Sequence, residues 1–153
     1  MQGDSEAFPL LQELAQQFGA ETFEVTKEQK SHLHAAAVMA SNYLTTLLNA
    51  SVEIGTLEGL PDNKVKKALL PLIRTTLGNT SDHSFTEALT GPIKRGDIET
   101  IEKHMSLFKN QSELRDLYCV LGLQTVRLAE NSGHLDGTVV EKMRKILSER
   151  FKL

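Results

Sequence analysis

Residues 27–57 read KEQKSHLHAAAVMASNYLTTLLNASVEIGTL, and this stretch decides the fold. Thr26 just before it and Gln29 three residues on make a capping-box pattern, in which each side chain satisfies a backbone N–H that the first helical turn leaves open. Apolar residues then recur at helical spacing as Leu33, Ala36, Ala37, Met39, Ala40, Tyr43, Leu44, Leu47, Leu48, Val52 and Ile54. A helix from Lys27 to Leu57 would run roughly 45 Å at about 1.5 Å per residue, longer than a small domain needs. Its broad apolar surface implies packing on several sides, and it could reach into a dimer interface.

Working outward toward the C-terminus, Gly59-Leu60-Pro61-Asp62 ends this helix, with Asp62 placed to cap a second one. Val65, Leu69, Leu70, Leu72, Ile73 and Leu77 form its expected buried side, and Pro71 should kink it. Gly78 to His83 reads as a polar loop, and Ser84-Phe85-Thr86-Glu87 as a capping box for a short turn ending near Leu89. Thr90 to Asp97, with two glycines, a proline and the pair Lys94-Arg95, predicts an irregular loop, Asp97 capping a helix from Ile98 to Phe108. Ser112 opens a helix that carries Leu114, Leu117, Tyr118, Leu121, Val126 and Leu128 to a stop near Gly133, despite Gly122 inside it. Thr138 with Glu141 opens the last, whose Val139, Val140, Met143, Ile146, Leu147 and Phe151 can close the core.

Toward the N-terminus, Leu11, Leu14, Ala15 and Phe18 mark a helix face between Ser5 and Phe18, with Gly19 at its end. Glu21-Thr22-Phe23-Glu24-Val25 alternates β-branched and aromatic residues with acidic ones and reads as an edge strand. A lone strand has nothing to pair with inside the chain, so it pairs with another copy or its sheet is missing.

Composition bounds the function. The 153 residues are 40% apolar and 24% charged, enough for one well-formed core. A net charge of -3 and the absence of Trp argue against nucleic acid, which needs a concentrated basic surface or a stacking platform. No apolar run approaches the roughly 18 residues of a membrane span and the start lacks a signal-peptide pattern, so no membrane partner and a cytoplasmic location are expected. The single Cys119 lies in an apolar helical pattern and reads as a packing residue. His32 and His34 point away from each other on a helix and the other histidines are scattered, so no metal site is expected.

Three stretches carry a resemblance: Lys30-Ser31-His32-Leu33-His34-Ala35-Ala36-Ala37-Val38-Met39-Ala40-Ser41-Asn42-Tyr43, Leu70-Pro71-Leu72-Ile73-Arg74, and Leu89-Thr90-Gly91-Pro92-Ile93-Lys94-Arg95-Gly96-Asp97. Together they resemble the helical C-terminal domain called domain of unknown function 2520, over Gly3 to about Leu135. That family is similar to the pyrroline-carboxylate reductase, ketopantoate reductase and 6-phosphogluconate dehydrogenase group, in which a nucleotide-binding domain precedes a helical substrate and dimerisation domain. The resemblance implies a mainly α fold, a helical bundle of the 6-phosphogluconate dehydrogenase C-terminal-like type with a short N-terminal helix-strand remnant. Residues 1–25 would be the end of a Rossmann-like domain and residues 26–153 the helical domain. No Gly-x-Gly-x-x-Gly follows a strand here, so NADP or NAD is implied only for a full-length enzyme and none is expected to bind this chain alone.

Lys30 and His34 lie one helical turn apart, with Ser41 two turns further on the same side and Asn42 beside it. In the related dehydrogenases a lysine at this position, with an asparagine four residues later, polarises the substrate carbonyl. The resemblance makes Lys30 and His34 the catalytic candidates, although His34 stands in place of that asparagine, and Ser41 and Asn42 substrate-binding ones. The plainer alternative is a solvated Lys30 beside a partly buried His34. Thr90, Gly91 and Arg95 are the second set, since the glycines permit close backbone approach and the basic pair could meet an anionic group. The alternative there is a rigid connection in which Arg95 pairs with a carboxylate.

Two functions follow. One is the substrate-binding and dimerisation domain of an NAD(P)-dependent oxidoreductase, forming a homodimer, taking a small-molecule substrate and joined to a missing Rossmann domain. The other is a non-catalytic helical interaction or dimerisation module.

Overall fold

The computed structural model describes residues 6–133 and 135–149. Their regular elements are all helical: α1 (Phe8–Gln17), α2 (Lys27–Val38), α3 (Leu44–Thr56), α4 (Asp62–Asp82), α5 (Phe85–Ala88), α6 (Pro92–Arg95), α7 (Ile98–Leu107), α8 (Ser112–Glu130) and α9 (Gly137–Ser148). Between α2 and α3, Met39–Tyr43 form a π-helical turn. The elements divide into two compact units, within residues 1–51 and within residues 52–153.

In the first unit, α1 ends where Gly19, at φ 70°, brings its N–H to the Gln16 carbonyl. That left-handed geometry suits glycine because no Cβ meets the following carbonyl. The capping box at α2 forms in full: Gln29 N–H donates to Thr26 Oγ1 at 3.2 Å, and Thr26 N–H to Gln29 Oε1 at 2.7 Å. Glu21–Val25 is not the expected strand and has no regular secondary structure. A strand persists through its ladder to a neighbour, and no described segment supplies one. Phe23 and Val25 instead border a groove shared with Leu33 and Ala36 of α2. The helix expected from Lys27 to Leu57 runs as far as Thr56, but its pitch changes at Met39–Tyr43. There the bonding widens to i→i+5. Just beyond, Thr45 Oγ1 donates to the Ser41 carbonyl at 3.1 Å and Thr46 Oγ1 to that of Asn42 at 3.3 Å.

In the second unit, Pro61 rather than Asp62 is the α4 cap, and it offers no side-chain hydrogen bond. Asp62 is the first helical residue, where its negative charge suits the positive end of the helix dipole. The helix continues through Pro71 and through the expected loop at Gly78 to end at Asp82. Thr80 and Ser81 hydroxyls donate to the Leu77 carbonyl, so their polarity is satisfied inside the helix. Of the apolar face read from the sequence, Val65 is buried, Leu69 and Ile73 are half-buried, and Leu70, Leu72 and Leu77 are exposed.

The core joins Ile93 of α6, Ile101 of α7, Val126 and Ala129 of α8, and Val140, Met143 and Leu147 of α9. The predicted α9 stripe therefore lies where expected, with Val139 and Ile146 packed at its flanks, while Phe151 falls outside the described residues. On α8 the buried face is Cys119, Gly122, Val126 and Ala129, and Leu121 is exposed. Small residues let α9 come close, a requirement that counting large apolar residues does not reveal. The α9 cap is Asp136, which accepts from the Thr138 N–H at 2.8 Å, so the expected cap Thr138 is already helical.

Candidate functional site

Lys30 and His34 stand on successive turns of α2, both exposed. Neither side chain makes a hydrogen bond or ion pair to any described residue, which leaves the Lys30 ammonium and the His34 ring open to an incoming group. His32, between them, is engaged: its Nδ1 lies 2.8 Å from the Glu28 carbonyl, so that nitrogen carries the proton and donates. Ser41 and Asn42 sit within the π turn and are exposed. The 3.6-residue count that aligned Ser41 with Lys30 and His34 stops applying at Met39, where the turn widens.

The second candidate set occupies one short frame in the other unit. Gly91 at φ 94° and Gly96 at φ 69° bracket a single helical turn, so the expected irregular loop contains α6. Pro92 at its first position loses no helical hydrogen bond. A Cβ at Gly96 would come within 2.9 Å of Val139 Cγ1, so Gly96 does permit a close approach, whereas nothing lies within 4 Å of one at Gly91. Lys94 Nζ donates to the Thr86 carbonyl at 3.1 Å, tying α6 back to α5. Arg95 is 65% exposed, its guanidinium 3.9 Å from Asp97. Such an exposed, long pair adds little to stability and leaves most of the fork free. Asp97 caps α7 as expected, accepting from the Thr100 N–H at 3.0 Å and the Thr100 hydroxyl at 2.7 Å. The Thr100 hydroxyl first, then its N–H, with Arg95 adding charge, hold the Asp97 carboxyl below its usual range. Thr90 is exposed at the mouth of a hollow described next.

The sequence reading missed a polar pair. His104 of α7 and Tyr118 of α8 are joined through Nδ1 and the phenol oxygen at 2.8 Å, the rings meeting edge to face at 5.8 Å. The buried Phe108 also packs against Tyr118, 5.2 Å between centroids. Burial, with Cys119 adding a smaller push, raises the Tyr118 hydroxyl above its usual range, so it keeps its proton at neutral pH. The two residues lie on different helices, and their only sequence signal was a histidine and a tyrosine on the apolar sides of adjacent helices. Both line a hollow of about 350 Å³ with Thr90, Ile93, Leu121 and Thr125.

Among the described residues no three His, Cys, Asp or Glu side chains gather in a way that could hold a metal ion. Cys119 is fully buried, its thiol 3.8 Å from the Met105 sulfur. No described helix is long and apolar enough to cross a membrane.

A family model described as Domain of unknown function (DUF2520) matches residues 1–125. No curated protein and no solved structure matches the chain.

Proposed function

The chain belongs to the DUF2520 family, and on that premise we propose that it is the substrate-binding and dimerisation domain of a cytoplasmic NAD(P)-dependent oxidoreductase. The observation that carries this reading is the π turn at Met39–Tyr43, which holds Ser41 and Asn42 in the helical run that begins with Lys30 and His34. Turns of this kind concentrate at functional sites because they divert backbone and side chains from the ordinary helical ladder. In the proposed enzyme Lys30 donates a hydrogen bond or proton to a substrate carbonyl, with His34 beside it, and Ser41 and Asn42 orient the substrate. Thr90, Gly91 and Arg95 form a separate candidate set within the second unit, suited to an anionic group.

A dinucleotide is bound by a strand, a glycine-rich turn and a helix. The described residues contain no strand and the sequence no Gly-x-Gly-x-x-Gly, so no cofactor step is assigned to these residues. NADP or NAD belongs, in this proposal, to a Rossmann-like domain that works with this one. Calorimetric titration of the chain, and of any longer product of its gene, with NADPH and NADH tests the assignment. Binding by the longer form alone supports it, and binding by neither overturns it.

A second reading, a non-catalytic helical interaction module, has its own support. Leu33, Met39 and Tyr43 of the first unit are 46%, 66% and 59% exposed, a run of large apolar side chains on one helical segment. Light scattering of purified protein, with Met39→Ser and Tyr43→Ser as variants, tests whether this face joins two copies. Both readings predict a dimer, and nucleotide binding by the longer form separates them.

A further inference from the structure

We propose that the hollow between α6, α7 and α8 is a binding site for a compact uncharged molecule with an apolar body and one carbonyl or hydroxyl oxygen. The volume of about 350 Å³ lies in the range of small-ligand pockets. Pro92, Ile93 and Leu121 give it apolar walls, and among the described residues no lysine or arginine lines it, which disfavours an anion. Its polar content converges on His104 and Tyr118, whose mutual hydrogen bond leaves each with unused capacity. When the phenol donates to Nδ1, the imidazole Nε2 carries the ring proton and the phenol oxygen accepts. When Nδ1 donates instead, the phenol proton is released for a ligand and Nε2 accepts. The pair thus offers one donor and one acceptor in either arrangement, and so matches a carbonyl or a hydroxyl.

The pair is also held in place before any ligand arrives. Tyr118 is in ring contact with both Phe108 and His104. Side chains fixed by packing lose little freedom on binding, which favours a small ligand with few contacts. Thr125 donates its hydroxyl proton to the Leu121 carbonyl at 2.8 Å and so offers the hollow only acceptor lone pairs. Thr90 is shared with the proposed substrate set, but the inference does not depend on the oxidoreductase reading, and its test contains no nucleotide.

The test is a titration of the full chain, labelled with ¹⁵N in its histidine side chains, with cyclohexanone up to its solubility limit, followed by NMR. The expected result is a saturable displacement of the His104 ring resonances that Tyr118→Phe weakens about fivefold, the worth of one hydrogen bond. Thr90→Val, at an exposed position on the rim, carries the same test should Tyr118→Phe fail to fold by circular dichroism. No saturable displacement, or one with the same affinity in every folded variant, overturns the proposal.

Discussion

Gly55 of α3 and Val65 of α4 are in contact so close that a Cβ on the glycine would overlap Val65 Cγ1. Val65 is buried, so its side chain has little room to withdraw. Gly55→Ala gains about 1 kcal/mol in helix propensity but meets an overpacking cost of about 1–3 kcal/mol, and the overlap should let the second dominate. We expect a lower urea midpoint for Gly55→Ala. In a double-mutant cycle, Val65→Ala should couple to it by at least about 0.5 kcal/mol. An additive cycle would mean that α3 and α4 do not meet here.

The capping box at Thr26 predicts a local effect in the first unit. Thr26→Ala removes the acceptor for the Gln29 N–H and should cost the helix about 1 kcal/mol. Hydrogen exchange at the amides of Gln29 and Lys30 should quicken accordingly, while α8 and α9 amides keep their rates. Equal acceleration in both units would contradict their separation.

Acid should weaken the second unit through its helix caps. The carboxyls of Asp97 and Asp136 are held below their usual range, chiefly by the hydroxyls of Thr100 and Thr138. A carboxyl depressed in the folded state contributes its full stability above the unfolded value near pH 4 and loses it as pH falls toward the folded value. The unfolding midpoint should therefore drop as pH falls below about 4, and Thr100→Val should flatten that drop. A slope unchanged in Thr100→Val would remove the hydroxyl from its assigned role.

The proposed chemistry separates two kinetic effects. In a complete, active enzyme Lys30→Ala should lower kcat by about 10²-fold, the scale of a lost general acid. Arg95→Ala should mainly raise KM, because a group that only binds an anion contributes alike to ground and transition states. Wild-type constants in both variants would sink the assignment.

Much of this was legible from local chemistry. The capping boxes at Thr26 and Ser84, the Asp97 cap and the α9 stripe follow from side chains acting within a few residues of themselves. What escaped depended on partners distant in sequence. Glu21–Val25 has the alternation of a strand but no neighbour to pair with, and α8 buries its small residues because α9 lies against them. Of the two candidate motifs, Lys30 to Asn42 lies on the expected helical run, whereas Thr90 to Arg95, read as an irregular loop, contains the short helix α6. The pairing of His104 with Tyr118 needed two helices to meet, which periodicity does not report.

The π turn has a consequence for how this helix can change. One extra residue in an otherwise α-helical rod works as a phase shifter, setting everything after it back by about 100° from where an unbroken α-helical count would put it. Side chains upstream of Met39 and downstream of Tyr43 are thus clocked separately. Removing one residue from this turn would restore the ordinary ladder while preserving the helix, leaving Lys30 and His34 on one side of it and Leu44, Leu47 and Leu48 on the other at their present bearings. A deletion here would be absorbed, whereas the same deletion elsewhere in the helix would rotate everything after it by about 100°.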